Sequence, residues 1–164
     1  MKFINNQGDR TESWGRGNIA KNGCGVVAAY NVLLPSIKST THLTVDFETV
    51  RTQMHKMGSA RLFGLAGVKH RKLAKYLKGK CSSATYYKFS GRLDASCLHA
   101  DAIILYCNNK GRITRHYMAG VGNGDGAFTW YNGYSEGKTL ATFGDYLASL
   151  KPERKPIGYI VVNY

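Results

Sequence analysis

The chain has 164 residues, a length typical of one domain that buries roughly two-thirds of its unfolded surface on folding. With 43% hydrophobic and 20% charged residues, its composition excludes a disordered or low-complexity protein. The 23 lysines and arginines outnumber the 10 acidic residues, and the net charge is +13. This charge favours anionic partners, such as nucleic acid, anionic lipid, a cell-wall polymer, or an acidic inhibitor or immunity protein, and does not choose among them.

The sequence carries no recognisable membrane or export signal. No apolar stretch approaches the roughly 20 residues that a spanning helix needs, and no transmembrane segment is therefore expected. The first ten residues, MKFINNQGDR, lack the apolar core of a secretory signal peptide. These observations predict a chain that is cytoplasmic or exported by a signal-independent route, and they leave open whether it is a fragment of a larger protein.

The first half of the chain has helical patterns, after about twenty polar and glycine-rich residues that are expected to be irregular. The apolar run CGVVAAYNVLL, beginning at Cys24, predicts a buried helix that Pro35 stops. Asp46 is a candidate N-cap for a second helix, FETVRTQMHKM, which Gly58 ends. The basic stretch KHRKLAKYLKGK (69–80) predicts a third helix.

This third helix carries the densest positive charge in the sequence. At helical spacing, Leu73 and Leu77 are expected to face inward. The outward stripe consists of Arg71, Lys75 and Lys78. Such a stripe is typical of a solvated helix face, and it also fits the binding of a polyanion.

The second half of the chain has strand patterns. The predicted strands are SATYYKF at 83–89, AIILYC at 102–107, ITRHYMAGVG at 113–122, AFTWYN at 127–132 and PIGYIVVNY at 156–164. NGDG (123–126) predicts a hairpin, and FGDYLASL (143–150) predicts a short helix. Helices followed by an antiparallel sheet predict an α+β fold in one domain, 1–164, with a helical half at about 20–80 and a sheet half at about 83–164.

The four cysteines differ in their surroundings. Cys97 and Cys107 lie in or beside apolar segments and are expected to be small core residues. Cys81 follows the basic helix and is expected in a loop. Because no export signal is present, free thiols are expected rather than disulfides.

Cys24 stands between two glycines, in NGCGVVAA, where a helix is predicted to begin. The positive end of the helix dipole and the unpaired amides of the first turn favour a thiolate at that place. Gly23 and Gly25 keep side chains away, so that a substrate carbonyl can approach. The alternative is a buried cysteine with a structural role.

A thiolate nucleophile needs a base, and the chain has five histidines. His55 and His70 lie on predicted helices and are expected at the surface. His42 lies in a polar loop, and His99 has no partner in view. His116 lies near the start of a predicted strand, which can hold an imidazole at the sheet edge facing a helix end; a satisfied strand histidine is the alternative.

Two amides complete the candidate site. Asn132 ends the strand that follows His116 across the hairpin, where its oxygen can orient the imidazole ring. Asn132 is also compatible with ordinary Asn-Gly turn chemistry. Gln7 is the only glutamine upstream of Cys24, and it is a candidate oxyanion-hole donor beside the Cys24 backbone N–H.

In this order, the parts resemble the papain-like superfamily of cysteine peptidases, and within it the branch related to bacteriocin-leader-processing (double-glycine) peptidases. The matching stretches are NNQGDRTESWGRGNIAKNGCGVVAAYNVL, HYMAGVG and FTWYNG. The resemblance covers about residues 5–135, although 36–100 match only in general character. It implies a papain-like fold in which a helical half, with the nucleophile at a helix N-terminus, packs against an antiparallel sheet.

The resemblance also implies residue roles. Cys24 would be the nucleophile, His116 the general base and acid, and Gln7 an oxyanion-hole donor. The third member in this branch is usually an aspartate followed by proline, whereas Asn132 precedes a glycine here. Asparagine serves in papain itself, and Asp125 in the hairpin is the alternative.

The sequence therefore predicts a papain-like cysteine hydrolase that cleaves an amide bond through an acyl-enzyme, with no cofactor and no metal. The candidate substrates are a peptide or protein, a peptidoglycan cross-link, or a protein glutamine side chain. The last two fit a toxin or effector, with glutamine deamidation as the alternative activity. An inactive papain-like scaffold that binds a polyanion is the alternative from another class, and the net charge of +13 and the atypical third member favour it. A purely nucleic-acid-binding fold is a further alternative, against which the sequence has no zinc-ligand spacing and no phosphate-cradling glycine motif.

Overall fold

The computed structural model of the chain describes residues 2–38, 45–64, 67–109, 115–132 and 138–164. The helices are α1 (Ile19–Asn22), α2 (Cys24–Leu33), α3 (Phe47–Lys56), α4 (His70–Lys78) and α5 (Phe143–Ala148). The strands are β1 (Ser13–Trp14), β2 (Gly17–Asn18), β3 (Ser83–Lys88), β4 (Ala102–Asn109), β5 (Arg115–Gly122), β6 (Phe128–Asn132), β7 (Lys138–Ala141) and β8 (Arg154–Asn163). The predicted α+β class is confirmed.

Helix α2 is the buried helix that the apolar run predicts. All ten of its residues are buried. A helix that is buried on every side is expected to have a continuous apolar sequence rather than an amphipathic pattern. It ends at Leu33, just before Pro35, whose ring cannot continue a helix.

Local signals also define α3. The Asp46 side chain accepts a hydrogen bond of 2.8 Å from the Thr49 backbone N–H, as expected of an N-cap. Gly58 follows the helix with a φ of +65°, a left-handed conformation that favours glycine at this position. Both predicted boundary residues are confirmed.

Helix α4 presents its charges to solvent. Leu73 and Leu77 are buried, together with Tyr76. The predicted outward residues, Arg71, Lys75 and Lys78, are exposed.

The sheet of β3 to β8 is antiparallel, in the order β3-β8-β4-β5-β6-β7. Strand β4 lies between β8 and β5, and its residues 102–107 are all buried. The short apolar run therefore forms a central strand, as predicted.

Alternate residues of β4 face two different cores. Ile104 and Tyr106 pack in the core that contains α2, α3 and α4. Leu105 and Cys107 pack in a second core on the opposite face, with Phe143 of α5. The sheet is therefore covered on both faces, by four helices on one side and by α5 on the other.

Two parts of the fold differ from the sequence-based expectation. The first twenty residues were expected to be irregular, but they contain a turn at Gln7–Asp9, the β1–β2 hairpin and the start of α1. Strand β7, which pairs with β6, was not predicted. Elements of two to four residues span too little of a helical or strand period to produce a pattern, and they depend on contacts such as that of the fully buried Trp14.

All four cysteines are free thiols, as expected. Cys97 and Cys107 are buried in the core on the α5 side, which confirms their predicted place. Cys81 is half-buried and lies after α4, outside any helix or strand.

Candidate active site

Cys24 is the first residue of α2, and Gly23 stands at the cap position before it. The thiol is 3% exposed, and its Sγ donates a hydrogen bond of 3.5 Å to the backbone carbonyl of Arg115. Arg115 is the first residue of β5 and precedes His116. The structure therefore brings the start of α2 to the start of β5, the two chain segments that carry the predicted nucleophile and base.

The two glycines around Cys24 have a packing role. A Cβ on Gly23 would lie 2.6–2.7 Å from atoms of Ile19, in the preceding helix. A Cβ on Gly25 would lie 2.8 Å from the Val68 side chain and 3.4 Å from Tyr117. The distances to Ile19 and Val68 are too short for an ordinary contact, so glycine at these positions lets neighbouring segments pack closely against the helix start.

Burial dominates the electrostatics of the thiol. It raises the pKa of Cys24 to about 11, although the backbone amides of Tyr117, Gly25 and Cys24 itself oppose the rise. Burial by itself would keep the thiol protonated at neutral pH. A nucleophilic role therefore requires a base that removes the proton.

His116 lies in β5 and is 1% exposed. Its neighbours in sequence divide between the two cores, with Tyr117 on the α2 side and Met118 on the α5 side. Because side chains alternate along a strand, His116 shares the face of Met118, whereas Cys24 packs on the face of Tyr117. Pairing of β5 with β6 begins at Met118 among the described residues, so a contact between the imidazole and the thiol would have to form around the β5 edge beside His116.

Asn132 and Asp125, the two candidates for the residue that orients the His116 ring, lie at opposite ends of the β5–β6 hairpin. The Cα of Asn132 is paired with that of Met118, two residues from His116, while the Asn132 side chain lies outside the described part of the structure. Asp125 is exposed at the hairpin tip, where it accepts a hydrogen bond of 3.0 Å from the Ala127 backbone. The six steps from His116 to Gly122 span about 20 Å of strand, which places Asp125 too far from the ring to orient it.

Gln7 is fully buried beneath α1. Its Nε2 donates hydrogen bonds to the carbonyls of Ile19, at 3.1 Å, and Ala20, at 2.9 Å. Both amide hydrogens are therefore committed to the short helix that leads into Cys24. The predicted oxyanion role would require the Gln7 amide to release one of these carbonyls.

A cationic and aromatic cluster that the sequence did not predict lies near Cys24. We call it the arginine cluster, and it consists of Arg61, His70, Arg71, Tyr86, Tyr106 and Arg115. His70 was expected at the surface, but it is half-buried, with its ring 4.6 Å from that of Tyr86 and 5.3 Å from that of Tyr106. His55 and His99 are exposed, as expected for His55, and His42 lies outside the described residues. No local pattern marks the arginine cluster, because its members come from five separate segments.

A comparison with protein-family models finds no match, and a comparison with curated proteins finds none either. Among the described residues, no three His, Cys, Asp or Glu side chains gather as they would to hold a metal ion. Within the same residues, no helix is both long and apolar enough to cross a membrane.

Buried thiols and phenols predict that the protein loses stability in alkali. Burial raises the pKa of Cys107, Tyr76 and Tyr146 to about 12. Since the folded-state pKa values lie above the unfolded ones, the stabilisation is fully present below about pH 9 and is lost as the pH rises toward 12. We expect the melting temperature at pH 11 to be lower than at pH 8 by about 5 °C or more.

The control for this prediction is Cys107→Ala, which removes one of these groups. Its melting temperature will be lower at every pH because a core atom is lost, but the slope between pH 9 and pH 12 will be shallower than in the wild type. A wild-type melting temperature that stays constant from pH 8 to pH 11 would contradict the prediction.

Proposed function

We propose that the protein is a cysteine hydrolase of papain-like type, which cleaves an amide bond through a thioester intermediate. The observation that carries the proposal is the contact between the Cys24 thiol, at the start of α2, and the Arg115 carbonyl, one residue before His116. A thiol at a helix N-terminus, in contact with the strand segment that carries a histidine, is the starting point for nucleophilic thiol catalysis. The proposal requires the imidazole, which shares the opposite face of β5 with Met118, to turn around the strand edge to the sulfur.

In the proposed mechanism, His116 takes the proton from Sγ of Cys24, and the thiolate attacks the carbonyl carbon of the amide. The backbone N–H of Cys24 donates to the oxyanion of the tetrahedral intermediate. The carbon–nitrogen bond then breaks, and His116 gives its proton to the leaving amine. Water hydrolyses the thioester and restores the thiol.

The raised pKa of Cys24 makes His116 essential in this mechanism. The thiol alone would be almost entirely protonated at pH 7. An imidazolium next to the sulfur stabilises the thiolate, and papain-type pairs bring the cysteine pKa down to about 3–4. Asn132, whose Cα pairs with that of Met118, two residues from His116, is proposed to orient the ring.

One feature favours the scaffold alternative. Helix α4 exposes Lys72, Lys75 and Lys78, a basic face that suits a polyanion. A papain-like scaffold that binds nucleic acid would show binding that falls steeply with salt and is unaffected by Cys24→Ala.

A product screen tests the hydrolase and separates its substrate classes. The wild type and Cys24→Ala are incubated with a tryptic peptide library, with intact proteins and with soluble peptidoglycan fragments, and products are identified by mass spectrometry. New peptide termini indicate a peptidase, cleaved stem peptides indicate a peptidoglycan amidase, and conversion of glutamine to glutamate indicates a deamidase. We expect one product class with the wild type and none with Cys24→Ala at an unchanged melting temperature.

If the wild type and Cys24→Ala yield the same products from all three materials, the hydrolase proposal fails.

A further inference from the structure

The arginine cluster lies on the same face of the sheet as Cys24, at the end where β5 begins. The Arg115 guanidinium lies 5.2 Å from the centre of the Tyr106 ring and donates a hydrogen bond to the Tyr106 hydroxyl. Tyr106 stacks on Tyr117 at 5.0 Å, and Tyr117 is one of the residues that enclose the start of α2. The backbone carbonyl of the same Arg115 accepts the thiol hydrogen bond. A single residue therefore links the cluster to the thiol.

Arg61 is held against the same region by its backbone. Its N–H donates to the Gly67 carbonyl at 2.8 Å, and Ala60 forms a bridge with Val68. Val68 packs directly against Gly25, next to Cys24, and accepts a hydrogen bond of 2.9 Å from the Tyr117 hydroxyl. This fixes the chain segment that carries Arg61 beside the helix start.

Among the residues that the structure describes, no carboxylate forms an ion pair with the arginines of this cluster. The two ion pairs among the described residues, Arg10–Glu12 and Arg51–Glu48, lie elsewhere. Nη1 of Arg61 is buried and has no hydrogen-bond partner within the described part of the chain. Burial, and after it the positive charges of Arg115, Arg71 and Arg61, lowers the pKa of His70.

Guanidinium groups without carboxylate partners, lying near the rings of Tyr86 and Tyr106, can form a binding site for a planar anion. Arginine donates two parallel N–H bonds to a carboxylate, and such charge-assisted bonds are stronger than neutral ones. Tyrosine hydroxyls beside them add further donors. The natural anion near a scissile amide is a carboxylate of the same peptide.

We propose that the arginine cluster is the subsite that binds a carboxylate of a peptide-type substrate next to the amide attacked by Cys24. This inference rests on the proposed hydrolase function and specifies its substrate class: an amide flanked by an acidic side chain or by a terminal carboxylate.

The test uses two small alkylating reagents and needs no knowledge of the natural substrate. Iodoacetate carries a carboxylate, whereas iodoacetamide is neutral and of nearly the same size. The rate constants of both reagents at Cys24 are measured by peptide mass spectrometry, and the rate constant for iodoacetate is divided by that for iodoacetamide. This ratio cancels changes in thiolate concentration, which affect both reagents equally. We expect the ratio in the wild type to exceed that in Arg61→Gln/Arg115→Gln by about 10-fold, equivalent to about 1.4 kcal/mol of attraction.

The matched control is Lys75→Gln/Lys78→Gln, which also removes two positive charges but from the exposed face of α4. Its ratio should equal that of the wild type, because the general field of a +13 protein contributes little once salt screens distant charges. An equal fall of the ratio in both double variants would overturn the proposal, as would no fall in either. The hydrolase proposal is judged separately, by whether Cys24 is required for turnover.

A protection experiment assigns the source of the carboxylate. N-acetylglutamic acid α-amide presents an acidic side chain, and N-acetylalanine presents a terminal carboxylate. The compound that slows iodoacetamide at Cys24 of the wild type, and not of Arg61→Gln/Arg115→Gln, identifies the group. Protection by neither compound, or by a short oligonucleotide alone, would overturn the carboxylate subsite.

Discussion

Replacing His116 with alanine is expected to slow alkylation of Cys24 by iodoacetamide at pH 6 by about 100-fold. In the proposed ion pair, with a cysteine pKa of about 4, the sulfur is almost all thiolate at pH 6. Where no ion pair forms, the burial that raises the pKa of Cys24 to about 11 leaves only about one molecule in 10⁵ with a thiolate at pH 6. The more basic thiolate is intrinsically about 10³-fold more reactive, since nucleophilicity rises with pKa, which leaves a net loss of about 100-fold.

The controls for this variant are the other histidines. His99→Ala changes an exposed residue, and His70→Ala changes the half-buried histidine of the arginine cluster. Neither removes the proposed base, so both should retain rapid alkylation at pH 6. If His116→Ala reacts as fast as the wild type, or if His70→Ala shows the large loss instead, the assignment of His116 is wrong.

Replacing Trp130 with alanine is expected to lower the free energy of unfolding by about 3–5 kcal/mol. The indole is 1% exposed and stacks on Tyr146, with ring centres 4.0 Å apart and planes 3° apart. It also contacts Phe143, and its N–H donates to the Ala141 carbonyl at 3.2 Å. A Cβ on Gly120 would lie 2.9 Å from the ring, so the indole fills the space above that glycine.

This one side chain therefore joins β5, β6, the β7 end and α5, and its loss leaves a cavity that these elements cannot fill without moving. For a domain of this size, the melting temperature should fall by about 10 °C. Trp130→Phe keeps a ring in the stack but loses the indole N–H and part of the volume, so about half of that loss is expected. An unchanged melting temperature in Trp130→Ala would contradict the packing of α5 on the sheet.

The helices could be predicted because their determinants are local. The Asp46 cap, the left-handed Gly58 and the stop before Pro35 depend on residues within one or two turns of each boundary. The central strand at 102–107 could be predicted because burial on both faces requires a continuous apolar run. Strand β7 could not, since its four residues show no complete period and form a strand only by pairing with β6.

The candidate site also has a part that the sequence predicts and a part that depends on tertiary packing. The sequence places Cys24 at a helix start and His116 on a strand, and the structure brings those two segments into contact at Arg115. The sequence does not predict that the Gln7 amide would donate hydrogen bonds to the carbonyls of Ile19 and Ala20 in α1, because those contacts depend on tertiary packing. The arginine cluster was also missed, because Arg61 and Arg115 are 54 positions apart and meet only through tertiary packing.

The central claim is that Cys24 is an activated nucleophile, and the most direct test is the pH profile of its alkylation in the wild type. Iodoacetamide rate constants at Cys24 would be measured from pH 4 to pH 10, with Cys81, Cys97 and Cys107 followed in the same digests. An activated thiolate predicts a rate constant that rises near about pH 4, stays high through neutral pH, and far exceeds those of the other three thiols at pH 6. A rate constant at Cys24 that falls tenfold with each pH unit below 9, with no plateau, would contradict the account.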